Sequence, residues 1–118
     1  MMRYCFTLDL KDDPQLIKEY EEHHKHVWPE VLSNITRSGI QQMQIYRLHT
    51  RLFMIMDVQD GFSFEYKSTL DKASSKVQEW EQLMWKYQEP LPLAKPGEKW
   101  MLMEKLFDLE EQVVTKEE

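Results

Sequence analysis

The sequence predicts an α+β domain with the ferredoxin-like order βαββαβ, an antiparallel sheet carrying both helical layers on one face. Three observations predict it. Segments 3–10, 40–48 and 52–58 have the side-chain pattern of strands. Two stretches with helical spacing, 14–38 and 62–87, lie on either side of the central pair of strands, and a last β-rich run closes the chain. The 118 residues suffice for one core without disulfides, so a single domain is read over 1–108, with an acidic tail at 109–118.

Each element has its own signal. Tyr4, Phe6, Leu8 and Leu10 alternate with Arg3, Cys5, Thr7 and Asp9, the two unlike faces of a strand. Asp13 then offers an N-cap and Pro14 the first helical position. Ile17, Tyr20, Val27, Val31 and Ile35 recur at helical spacing until Ser38-Gly39, a C-cap signal. Pro29 inside that stretch removes a donor and clashes with the preceding turn, so the helix must kink or restart near Trp28. Ile40–Leu48 and Leu52–Val58, joined by a short polar linker, read as a hairpin.

The second helical stretch carries Tyr66, Leu70, Val77, Trp80 and Met84 at three- and four-residue steps, interrupted at KASSKV. A proline-rich crossover follows in EPLPLAKPGEK, and the alternation in GEKWMLMEKLF predicts a last strand over 97–107. Both faces of the strands carry large side chains, among them Met43, Ile45, Phe53, Ile55, Met101 and Met103. An exposed face would be mostly polar, which predicts a second copy of the chain against the far face, a homodimer in the form of a dimeric α/β barrel.

Charge and cysteine usage restrict the partners. Fifteen basic residues against 21 acidic give a formal charge of -6, with the basic residues scattered, which argues against nucleic acid. No stretch approaches the length of a membrane span, and the N-terminus lacks the pattern of a signal peptide. The single cysteine, Cys5, suits a reducing compartment, so a cytoplasmic protein is expected.

Three of the four histidines lie in EYEEHHKHVWPEV. At 100° per residue, Ile17, Tyr20, Trp28 and Val31 all fall within about 40° of His24, which therefore occupies the centre of the apolar stripe. His23 falls on its boundary and His26 on the solvated side. Ligands that splay apart in this way do not make a metal shell, so no metal is expected. A lone histidine on an apolar face is ordinarily a core residue satisfied by a nearby carbonyl or hydroxyl. Tyr20 and Trp28, one turn before and after it, favour a second reading, a proton-transferring imidazole beside an uncharged polar ligand. Trp80 admits the same two readings, core or a platform for a sugar face, and becomes informative only together with a carboxylate such as Glu81.

Arg3-Tyr4, the string Tyr20, His24, Trp28, Pro29 and Glu30, Gly39 before IYRLHTRLFMIM, the tryptophan-rich second helix and the closing MEKLFDL together resemble the L-rhamnose mutarotase family over about residues 2–108. The resemblance implies small cytoplasmic dimers of this fold that interconvert the α and β anomers of a 6-deoxy-L-sugar without a cofactor. It implies His24 as the proton donor and Tyr20 as a sugar contact, with Trp28, Met43, Trp80 and Glu81 as further candidates at the substrate. Where the rhamnose enzymes have a sugar-contacting tyrosine on the second strand and a Trp-Trp pair on the second helix, this chain has Met43 and Trp80-Glu81. A methionine removes a hydroxyl donor, while a glutamate adds an acceptor for two sugar hydroxyls, so L-fucose stands as the alternative substrate to L-rhamnose. Two rivals remain on the residues themselves: a dimeric barrel of the monooxygenase or haem-degrading type using the same cavity, and a dimeric sugar-binding module without catalysis.

Overall fold

The computed structural model describes residues 2–116 and the side chains of residues 2–112. Strand β1 (Met2–Leu10) leads through the Asp13 cap into α1 (Pro14–Lys25), where the Asp13 carboxylate accepts from the amides of Gln15 and Leu16. As Pro29 demands, the helix stops, and α2 (Pro29–Arg37) restarts with Pro29 in its first turn. Gly39 closes α2 at φ +99°, a conformation that glycine adopts without strain, and its carbonyl accepts from Gln59 N at 2.9 Å.

β2 (Ile40–Leu48) and β3 (Arg51–Val58) form the predicted hairpin around His49 and Thr50. The interrupted stretch becomes α3 (Phe64–Ala73) and α4 (Ser75–Trp85). Ser74 ends the first and caps the second through its hydroxyl, which accepts from Val77 N. Two short strands, β4 (Gln88–Glu89) and β5 (Met101–Leu102), flank the proline-rich crossover.

The sheet order is β2-β3-β1-β4, with β5 also on β1, and every pairing is antiparallel. The helices cover the face bearing Leu8, Leu10, Leu52, Met54, Met56 and Val58, which with Ile17, Tyr20, Val77 and Met84 make the buried core. The ferredoxin-like arrangement is thus as expected, and the sheet of one chain is open.

One expectation is corrected. The last strand, expected over 97–107, pairs only at Met101 and Leu102; on its N-terminal side β4 already takes the Asp9–Leu10 part of the same edge of β1. Past the bond from Met103 N to Cys5 O the chain leaves the sheet, and Leu106 is 99 % exposed. In the acidic tail Leu109–Lys116 form α5, and residues 117–118 lie outside the described residues.

Register sorts the large sheet side chains into two sets. Met43 and Ile45 face the helices beside Met56 and Met54, whereas Phe53 and Ile55 lie on the far face with Cys5, Thr7 and Tyr46. That far face is apolar at its centre and framed by the ion pairs Arg3–Asp57 and Arg51–Asp9.

Candidate active site

A cavity of about 610 Å³ opens between the helices and the inner face of the sheet. Its volume is in the range of small-molecule sites. The floor is apolar, made by Phe6, Met43, Ile45, Met54 and Met56, alternate residues of three neighbouring strands. The polar groups gather on the helical side, where α1 contributes Tyr20 and His24, and α4 contributes Trp80 and Glu81.

His24 Nδ1 lies 2.9 Å from the main-chain oxygen of Tyr20. A carbonyl oxygen only accepts, so Nδ1 carries the proton and Nε2 of the neutral ring holds a lone pair. Burial pushes the imidazole below its ordinary value of 6.5, the bond to the carbonyl opposes this, and the neighbouring His23 adds to the lowering. The ring is therefore a neutral base at pH 7. It is held between Tyr20, with ring centroids 4.3 Å apart, and Trp80, at 5.6 Å and edge-on.

Tyr20 is 4 % exposed, and its phenol is pushed up to about 12 by burial. It stays protonated over the physiological range. Gln88 Nε2 donates to its oxygen at 3.4 Å, which leaves the phenolic hydrogen free to point elsewhere.

Glu81 is pinned from outside by Lys99, whose Nζ lies 2.6 Å from Glu81 Oε2 and 4.9 Å from the centroid of Trp85. The lysine side chain is only 11 % exposed, so the proline-rich crossover is tied to α4 beside the cavity by a nearly buried charge. A second charged pair on the wall, Lys67 and Asp71 of α3, is joined to α2 through Asn34 Nδ2, which donates to Asp71 Oδ1.

The cavity thus brings together Tyr20, His24, Met43, Trp80 and Glu81. Trp28, the N-cap of α2, packs against the core edge-on to Trp80 at 5.2 Å and does not line the cavity. His23 bonds the hydroxyl of Tyr87 at 3.1 Å, and His26, exposed, ends α1. Among the described residues, no three of His, Cys, Asp or Glu converge as a metal shell requires, and no helix is long and apolar enough to cross a membrane.

Sequence reasoning missed Gln88, Lys99, Trp100 and the Lys67–Asp71 pair on or beside the cavity. The i, i+4 spacing of Lys67 and Asp71 signals a helix but not a cavity, and Gln88 carried no signal at all.

Fold and site together define a small α+β domain with a mostly apolar small-molecule cavity whose polar groups gather on its helical wall. A sequence profile of the L-rhamnose mutarotase family matches residues 3–109, and the chain belongs to that family, whose members interconvert sugar anomers. It is 41 % identical over 115 residues to an L-fucose mutarotase of Xanthomonas campestris pv. campestris, covering 96 % of this chain and 92 % of that one. A UPF0734 protein of Dictyostelium discoideum is 35 % identical over 111 residues, covering 91 % of this chain and 89 % of that protein.

Among solved structures, an L-rhamnose mutarotase of Formosa agariphila superposes with a TM-score of 0.66 at 17 % identity, covering 92 % of this chain and 98 % of the other. The tetracenomycin F2 cyclase of Streptomyces glaucescens superposes at 0.55 and 16 % identity, covering 92 % and 96 %. Both likenesses are of fold.

Proposed function

We propose that the chain is a 6-deoxy-L-hexose mutarotase with L-fucose as its preferred sugar, and that His24 and Tyr20 are the groups that exchange protons with it. The single observation carrying this reading is the neutral Nε2 of His24 beside the protonated phenol of Tyr20 on one cavity wall. Opening a pyranose requires a base at the anomeric hydroxyl and an acid at the ring oxygen.

In this mechanism Nε2 takes the proton of the anomeric O1, the electrons form the C1=O1 aldehyde, and the C1–O5 bond breaks. Its electron pair goes to O5, which takes the proton of Tyr20. The aldehyde turns about C1–C2. Ring closure on the other face reverses both transfers, returning the proton of Tyr20 and delivering the imidazolium proton to O1. His24 is accordingly base first and donor second. Gln88 Nε2, already directed at the Tyr20 oxygen, stabilises the charge that develops there. The cavity is required only to align these groups, since the uncatalysed reaction is itself fairly quick.

The preference for L-fucose rests on the relative named for that sugar and on Met43 and Glu81, which replace a hydroxyl donor with an apolar group and add a carboxylate that accepts from two hydroxyls. L-rhamnose is the second reading, favoured by the family profile. Saturation-transfer NMR on both sugars tests the assignment: anomer exchange accelerated by the native chain and lost in His24→Ala supports it. Exchange left intact in a folded His24→Ala protein overturns the role of His24, and no acceleration of either sugar overturns the mutarotase reading.

Residues 1–108 form the functional unit in this reading, with 109–118 an appendage. The apolar centre of the far sheet face, with Phe53, Ile55 and Tyr46 inside a frame of ion pairs, supports a homodimer through that face, which sedimentation equilibrium tests. A cytoplasmic setting fits the free Cys5 thiol.

A further inference from the structure

Gln88 is 3 % exposed and forms part of the cavity wall next to Tyr20. Among the described residues, its Oε1 is the buried side-chain oxygen that accepts no hydrogen bond. Its backbone cannot turn away. Gln88 pairs with Leu10 of β1, and the preceding carbonyl, of Tyr87, accepts from Lys11 N at 2.9 Å. The amide is therefore delivered to the wall by main-chain bonds on both sides, with one end engaged by Tyr20 and the other end empty.

A buried acceptor without a donor is unfavourable, and where a native structure keeps one, an absent partner is the first explanation to test. The neighbours specify its chemistry. Around this corner of the cavity lie the buried acceptor Gln88 Oε1, the Tyr20 hydroxyl with a proton to donate, the His24 ring with an acceptor at Nε2, and the carboxylate of Glu81. Such a mixed series complements a set of hydroxyl groups, each of which both donates and accepts.

We propose that Gln88 is a specificity-determining residue of the sugar site: its side-chain carbonyl accepts from one ligand hydroxyl while its Nε2 holds the oxygen of Tyr20. The terminal torsion of a glutamine is soft, so a small rotation brings Oε1 to the cavity surface when the ligand arrives. The proposal rests on the mutarotase reading for its choice of sugars. L-fucose and L-rhamnose differ in the orientation of their C2 and C4 hydroxyls, so a single oriented acceptor separates them, as sites built to bond a substrate hydroxyl do.

Gln88→Met, of similar length and without polar atoms, is the test. The ratio of kcat/KM for L-fucose to that for L-rhamnose is expected to move at least tenfold toward unity, with the melting temperature unchanged or raised because the orphaned acceptor is gone. Gln88→Asn, which withdraws the amide by one methylene, serves if the methionine variant does not fold. Equal loss on both sugars, or an unchanged ratio, overturns the proposal.

The side-chain amide resonances of Gln88, identified by their absence in the variant, supply a readout that does not depend on turnover. If the native chain accelerates neither sugar, the mutarotase reading fails, and Gln88 is judged by titration with L-fucose and L-rhamnose. A saturable shift of its amide with either sugar sustains the contact, and stationary resonances refute it.

Discussion

Nδ1 of His24 lies 2.9 Å from the main-chain oxygen of Tyr20, one helical turn earlier. The same tyrosine packs its ring 4.3 Å from the imidazole, so one residue determines both the tautomer and the tilt of the candidate base. Because the bonded carbonyl belongs to the helix backbone, the tautomer does not depend on any other side chain. Nε2 thereby keeps its lone pair, on a ring that lines the cavity.

Removing that base has a predictable cost. General acid–base catalysis by one positioned side chain contributes about 10²–10⁴-fold, and His24→Ala is expected to lose at least the lower figure in anomer exchange while keeping a native circular dichroism spectrum.

The pH dependence has a fixed sign. Burial holds His24 below 6.5, so the base is neutral from pH 7 upward and exchange above the uncatalysed background falls on an acid limb lying below pH 6.5. Tyr20, pushed up to about 12, places no alkaline limb between pH 7 and 9. The same depression links to stability. Below about 6.5 the unfolded chain binds a proton at His24 more readily than the folded chain, so the melting temperature falls as pH drops through 6.5, and less so in His24→Gln.

Tyr20→Phe removes the phenolic proton and the acceptor of Gln88 Nε2 without changing the ring that packs His24. A loss of about tenfold or more in kcat with a folded protein is expected, measured by the same exchange experiment. An undiminished kcat would assign the ring-oxygen acid to another group.

Lys99→Met tests the tie between the crossover and Glu81. The variant keeps the stem that lies along Trp85 but leaves the carboxylate without the ammonium 2.6 Å away. KM is expected to rise several-fold with kcat within about threefold, because the change affects where Glu81 meets the sugar and not the groups that move protons.

Ser74→Ala probes the fold apart from the chemistry. Loss of the cap at Val77 N costs about 1 kcal/mol, or about 4 °C in melting temperature for a domain of this size. Exchange rates at 25 °C stay at the native level.

Much of this molecule was written along the chain. The alternation in Tyr4–Leu10, the Asp13-Pro14 start, the restart forced by Pro29 and the Ser74 break are local signals, each set by backbone chemistry within a few residues. Periodicity likewise sufficed to place Tyr20 and His24 on the inner face of α1, because a helix fixes the direction of its own side chains. Trp28, read on the same stripe, does pack against the core, edge-on to Trp80, but does not line the cavity.

Other features exist only in three dimensions. The last strand shrank to Met101 and Leu102: β4 holds the Asp9–Leu10 end of the β1 edge, a competition between segments more than ten residues apart, and beyond Met103 the chain leaves the open end of that edge. Lys99 meets Glu81 across 18 positions, and Gln88 meets Tyr20 across 68. Sequence by itself determined the elements, the inward histidine and the family. Tertiary structure decided which distant polar groups surround that histidine, because hydrogen-bond partners are chosen by proximity in the packed chain and not by spacing along it.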